Sequence, residues 1–142
     1  MKSLNQKSKS SFLSLAIFIL GFIFFPSDIY AKDYSIKSAD FVVQINKDGS
    51  ATITEKRTYV FDGSFSWADQ WIPLKDGSTV TDFEMSENGV SYYPAGHVIG
   101  DAPTTYQLNI TPDKFYVKWF YTALNESKTF EIKYKISNTV TN

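Results

Sequence analysis

The chain has 142 residues, 43% of them hydrophobic and 20% charged, and its 14 Lys and Arg against 15 Asp and Glu give a formal net charge of −1. These charges are interspersed without a basic cluster, which argues against nucleic-acid binding. Because the chain has no cysteine, disulfides and a lipid-modified cysteine are excluded, so stability must come from packing.

Residues 1–31 have the composition of a secretory signal peptide. Three lysines and no acid precede the apolar run 12–25, and Pro26 ends it. This run is shorter than the roughly 18 to 20 apolar residues that cross a bilayer. The small Ala31 predicts cleavage directly after it, leaving one exported domain over 32–142; an uncleaved anchor is the alternative.

The first predicted structure of that domain is a β-hairpin. Two Asp-Gly-Ser triplets, at 48–50 and 62–64, bracket a run rich in Thr, Ile, Tyr, Val and Phe, which is typical of a long strand between tight turns. Before it, segment 40–46 alternates apolar and polar residues and leads into a turn at 46–49. The two segments are therefore expected to pair.

Glu55 and Arg57 interrupt the pattern of the second strand. The odd positions form its apolar face (Ala51, Ile53, Tyr59 and Phe61), and the two charged residues fall on that same face. An unpaired charge there would be costly, so we expect an ion pair or a bulge that reverses the register. We favour a structural pair at the margin of the sheet over a functional site.

Segment 66–74 carries Trp67 and Trp71 and contains Pro73 near its end. The spacing of four predicts one helical turn or an ordered loop with both rings on one side. Strands resume at 79–86, and Asn88-Gly89 predicts a second tight hairpin.

Residues 94–103 are predicted to form a loop, because this segment has two prolines and two glycines. It contains His97, the only histidine of the chain. We expect no role for this residue, because it has no evident catalytic partner.

The last third alternates apolar and polar residues in three further strands, at 106–110, 115–121 and 130–136. Seven or eight short strands with one-sided patterns predict an all-β fold, an antiparallel two-sheet β-sandwich that is immunoglobulin-like in general architecture, after an N-terminal signal helix. Segment 129–136 lies close to the end of the sequence. We therefore expect it to be an edge strand whose partner is missing, and the domain to be incomplete at its C-terminus.

The sequence predicts no enzyme, no metal site and no cofactor. The carboxylates are scattered, and the Ser and Thr residues are typical of a β-surface. Each Asp-Gly-Ser triplet supplies one acid, far fewer than the six to eight oxygens that bind calcium, so we interpret the triplets as turns.

Four aromatic residues are the candidate binding residues: Trp67, Trp71, Tyr92 and Tyr93. Exposed on a β-sandwich, they would form a platform for a glycan. The alternative, which we favour, is that these rings fill the core of a domain without disulfides.

The order of short segments resembles a known family. After the signal peptide come, in turn, YSIKSADFVVQI, KDGS, TE, YVF, GSF, WIPL, VKW and TFEIKYKI. This order is similar to the domain of unknown function numbered 2207. The resemblance implies a predicted bacterial membrane protein whose N-terminal extracytoplasmic β-domain precedes more sheet and then transmembrane helices. The family often has a basic residue just before the Ile-Pro pair, where this chain has Gln70-Trp71.

These observations together predict a non-catalytic interaction or scaffolding domain of a cell-envelope membrane protein. It would be exported, extracytoplasmic and held at the cell membrane through segments beyond this chain. Its partner would be another envelope protein or the missing C-terminal part of the same protein. A secreted carbohydrate-binding module is the alternative.

Overall fold

The fold is built from β-strands. In a computed structural model of the protein, the described residues are 31–75, 77–96 and 101–137. They form nine strands: β1 (Asp33–Ile45), β2 (Ala51–Asp62), β3 (Ser64–Pro73), β4 (Val80–Glu87), β5 (Val90–Ser91), β6 (Tyr93–Pro94), β7 (Thr105–Thr111), β8 (Lys114–Leu124) and β9 (Ser127–Ile136). The predicted signal peptide, except for Ala31, and His97 lie outside the described residues.

The strands form two sheets that pack face to face. The first has the order β1-β2-β9-β4-β5 and the second the order β3-β8-β7-β6. Neighbouring strands are antiparallel, except that β6 and β7 run parallel. The predicted two-sheet β-sandwich is confirmed.

Tight turns set the two predicted hairpins. Between β1 and β2, Gly49 has φ 77°, and the Asp48 carboxylate accepts hydrogen bonds from the backbone and hydroxyl of Ser50 and from Lys135 Nζ. These hydrogen bonds, of which the one from the Ser50 hydroxyl has the largest effect, hold the pKa of Asp48 well below its ordinary value of 3.8. Between β4 and β5, Asn88 and Gly89 both have positive φ, as a two-residue type I′ turn requires.

The chain changes sheets at Gly63. Its φ of 100° is a conformation that other residues rarely adopt, and its N–H donates to Asn125 Oδ1 over 2.6 Å. Strand β2 ends directly before it in one sheet, and β3 begins directly after it in the other.

The predicted helical turn or loop at 66–74 is therefore wrong, because most of this segment belongs to β3, which pairs with β8. A spacing of four residues does not distinguish the two structures. It places Trp67 and Trp71 on one side of a helix, but also on one side of a strand.

Strand β9 lies inside its sheet, paired with β2 on one side and β4 on the other. The expectation that 129–136 is an edge strand with a missing partner is wrong. Sequence position is a poor guide here because β4, from the middle of the chain, supplies the second partner. Among the described strands, the edges of the two sheets are β1, β5, β3 and β6.

The core is largely aromatic and is centred on β8 and β9. Trp119, Tyr121 and Phe115 of β8 are almost wholly buried, and Phe130 of β9 packs against both Trp119 and Tyr121. Because β8 belongs to the second sheet and β9 to the first, these contacts join the two layers. The alternation predicted for the last third of the chain places these rings correctly.

Candidate functional site

The four predicted binding residues do not form one site. Trp67 and Trp71 are 51% and 61% exposed, on the outer side of β3. Tyr92 is buried, and its hydroxyl donates to Glu87 Oε2 over 2.7 Å. Tyr93 is exposed on β6, at the opposite edge of the sheet that contains β3. The favoured interpretation of these rings as core residues is therefore wrong for Trp67, Trp71 and Tyr93, whereas Tyr92 does belong to the core.

Trp67 and Trp71 are part of an outer surface of the second sheet that we call the tryptophan face, formed by Trp67, Asp69, Trp71, Tyr116 and Lys118. The register pairs Trp71 with Tyr116 and Asp69 with Lys118. Lys118 Nζ lies 4.5 Å from the centroid of the Trp67 ring, a cation–π contact. Burial is the main cause that raises the pKa of Tyr116, and a hydrogen bond with Asp69 is the second. The face therefore combines exposed rings with charged hydrogen-bonding groups.

A cleft of about 430 Å³ opens between β1, β2 and the first half of β3. Its walls are mainly aromatic, its rim includes charged and hydroxyl groups, and its volume lies in the range of small-molecule sites. Tyr34 meets Phe65 across it, with ring centroids 6.1 Å apart, and Lys32 Nζ lies 5.9 Å from the Phe65 ring. The Tyr121 hydroxyl donates to the backbone carbonyl of Trp67 over 3.2 Å.

Sequence reasoning missed this cleft. The aromatic residues at 34, 59, 61 and 65 could have indicated an aromatic site. Aromatic residues are, however, also typical of the apolar face of a strand. Only the change of sheet at Gly63 brings Phe65 opposite Tyr34, and the triplet containing Gly63 predicted a turn without predicting its direction.

Glu55 and Arg57 form the predicted ion pair, with Arg57 Nη2 2.8 Å from Glu55 Oε2. Gln70 Nε2 donates to the same oxygen over 2.9 Å, and the Tyr134 hydroxyl donates to Oε1 over 2.9 Å. Glu55 is buried on an inner strand rather than at the sheet margin, because β1 and β9 flank β2. Burial and then the Glu55 carboxylate raise the pKa of Tyr134. This network joins the two sheets, since Gln70 lies on β3.

Strand β1 carries an apolar row that the second sheet does not cover. Phe41, Val43 and Ile45 point to the inner side, in register with Glu55, Ile53 and Ala51. They are nevertheless 56%, 59% and 58% exposed. We call these three residues the β1 row. It lies along the edge of the first sheet, so apolar surface and a free strand edge occur together.

Over residues 31–75, 77–96 and 101–137, no three His, Cys, Asp or Glu side chains are grouped so that they could hold a metal ion. The same part of the chain has no helix with the length and apolar character needed to cross a membrane.

Comparison with known proteins identifies a family for this chain. No curated protein and no solved structure matches the chain. Residues 35–142 match the family model described as "Predicted membrane protein (DUF2207) N-terminal domain". This match covers β1 almost completely and all of β2 to β9, including the sheet change at Gly63 and the β1 row. The chain therefore belongs to the DUF2207 family of predicted membrane proteins, of which it contains the N-terminal domain.

Proposed function

We propose that this domain is a non-catalytic interaction or scaffolding module on the extracytoplasmic side of a cell-envelope membrane protein. Family membership supports the association with a membrane, and the lysine-rich start followed by a short apolar run supports export. The observation that carries the proposal is β1, whose free edge and exposed apolar row both suit a partner.

Strand β1 has 13 residues and pairs only with β2 among the described strands. Its second edge therefore presents backbone N–H and C=O groups that another strand can pair with. An added strand would also place side chains beside the β1 row and remove apolar surface from water. The partner would be another envelope protein or a further part of the same protein.

Photo-crosslinking in the cell envelope tests this function. A photoreactive amino acid at position 43, in the β1 row, is expected to give a discrete cross-linked species that contains a protein partner. The matched control places it at position 133, which is also exposed but lies on the inner strand β9. Equal products from both positions, or none from position 43, would contradict the proposal.

The tryptophan face favours a second candidate function, the binding of a glycan. Trp67 and Trp71 are separated by about 13 Å along the strand, from a rise of about 3.3 Å per residue. The C–H faces of sugar rings stack on exposed aromatic rings, and the charged groups of Asp69 and Lys118 would hydrogen-bond to sugar hydroxyls. This arrangement suits an extended, uncharged oligosaccharide that contacts both rings.

Replacing Trp71 by alanine is expected to weaken glycan binding at least about tenfold, since one of the two stacking surfaces is lost. The free energy of unfolding should change by less than about 1 kcal/mol, because the ring is mostly exposed. Glycan arrays followed by calorimetric titration measure the first effect, and urea unfolding measures the second.

The control for this experiment is Val90→Ala, an exposed apolar residue on the other sheet, which should bind glycans as the unchanged protein does. If the protein binds no envelope glycan, or if the Trp71→Ala variant binds glycans with unchanged affinity, this second candidate function is contradicted.

A further inference from the structure

We propose that β1 pairs with β1 of a second copy of this chain, antiparallel, in the register that places Lys37 opposite Asp40. This inference deepens the proposed function, because it identifies the occupant of the β1 edge. The charges of β1, the parity of its side chains and the geometry of an antiparallel pair each support it.

The charges favour one register. Between Tyr34 and Ile45, the only charged residues of β1 are Lys37 and Asp40. When a strand pairs antiparallel with its own copy, placing Lys37 opposite Asp40 also places Asp40 opposite Lys37. Both charges of both copies are then matched, and opposite charges across a strand pair are stabilising. Two other registers place Lys37 opposite Lys37 or Asp40 opposite Asp40, which is unfavourable.

The apolar side chains match in the same register. Tyr34 then lies opposite Val43, and Ile36 lies opposite Phe41. These pairs join even-numbered to odd-numbered positions, which in a regular strand point to opposite faces. In β1 they share the inner face, because the pairing with β2 shifts at Lys37, an extra residue between two regular halves. The bulge therefore gives matched faces in every pair from Asp33–Gln44 to Ile36–Phe41. At the centre the faces match when Ala39 lies opposite Ala39 of the second copy and the bulged residues Lys37 and Ser38 lie opposite Asp40.

The overlap in this register is nearly complete. It extends from Asp33 to Gln44, that is, over 12 of the 13 residues of β1, with the bulge of each copy opposite Asp40 of the other. The bulge and Lys37 would discourage pairing with an unrelated strand, as such features do at protected sheet edges. A second copy carries Asp40 at the matching place, so for this partner the lysine favours pairing.

The geometry also accounts for the exposed β1 row. The two-fold axis of an antiparallel strand pair is perpendicular to the sheet, so both copies keep their inner faces on the same side. Phe41 and Val43 of one copy then lie beside Ile36 and Tyr34 of the second copy. The two five-stranded sheets become continuous across the seam, and apolar side chains that are exposed in a single copy become neighbours.

Charge reversal tests the register directly, by sedimentation equilibrium of the protein expressed from the 142-residue sequence over a range of concentrations. The unchanged protein is expected to be a reversible dimer. Lys37→Asp alone and Asp40→Lys alone should each weaken dimerisation at least about tenfold, because two attractive pairs become repulsive. The double variant should recover the original affinity, since it exchanges the two charges.

An equimolar mixture of the two single variants provides the sharpest result. In the proposed register, the two acidic residues of the Lys37→Asp variant lie opposite the two lysines of the Asp40→Lys variant. The mixture should therefore form heterodimers, although each variant alone is monomeric. Both positions are exposed, and circular dichroism should confirm that the variants keep the β-fold.

Three results would overturn the inference: a monomer up to about 1 mM, single variants that dimerise normally, or a mixture that stays monomeric. A monomer that still cross-links from position 43 to a different protein would reject the second copy and leave the interaction function intact.

Discussion

Replacing Glu55 by alanine is expected to lower the free energy of unfolding by about 3 kcal/mol, the lower end of the range for breaking a buried ion pair. The change removes the acceptor for Arg57, Gln70 and Tyr134 at once. Gln70 and Tyr134 would each lose a hydrogen bond inside the sandwich. Arg57 is a quarter exposed and can turn toward water, which places the loss at the lower end. Urea unfolding followed by tryptophan fluorescence measures it.

The matched control is Glu84→Ala. Glu84 also pairs with a basic residue, Lys133, but its side chain is 70% exposed. Exposed pairs contribute roughly 0 to 1 kcal/mol, so this variant should unfold nearly as the unchanged protein does. If both variants lost the same free energy, the Glu55 network would have no special structural role.

Glu55 also illustrates how far the sequence predicts this fold. The alternation of β2 placed the residue on the apolar side, and the cost of an unpaired charge required a partner. Those two steps correctly predicted the pair with Arg57. They could not predict Gln70 or Tyr134, because both contacts depend on how distant strands are arranged. The alternation of apolar and polar residues predicts which side of a strand faces the core. The residues that contact that side depend on how the strands are ordered in the two sheets.

Topology also explains the wrong expectation for 129–136. Its alternating pattern correctly predicted a strand, and its position near the end of the sequence suggested an edge. The observed order inserts β9 between β2 and β4, whereas β1, at the start of the domain, is an edge strand whose inward-facing apolar residues are exposed. The unpaired edge and the exposed apolar surface expected at 129–136 occur together at β1 instead.

The candidate sites were predictable only in part. Trp67 and Trp71 were identified as a pair with both rings on one side, and the structure places them so on the tryptophan face. Whether that side was core or surface depended on Ala68 and Ile72, which pack inward between and beside them. Because large aromatic residues usually favour burial, composition pointed to the wrong face.

Replacing Phe130 by alanine is expected to cost about 3 to 5 kcal/mol, the range for removing a large buried aromatic side chain. Phe130 is 2% exposed, and its ring contacts those of Tyr59, Trp119 and Tyr121 at centroid distances of 5.8, 5.7 and 5.0 Å. The cavity would lie between the two sheets, so both layers lose contacts. Single domains are stable by only about 5 to 15 kcal/mol, so this is a large fraction.

The comparison with Trp71→Ala decides whether burial or size controls this loss. The Trp71→Ala variant loses a larger side chain, but one that is mostly exposed. We therefore expect its free energy of unfolding to fall by less than about 1 kcal/mol. Urea unfolding of both variants under identical conditions gives the two values. Equal losses would mean that Trp71 is packed in the folded protein and that the core does not centre on Phe130. A loss confined to Phe130→Ala would support the assignment of β8 and β9 as the centre of the core, with the tryptophan face left available for a ligand.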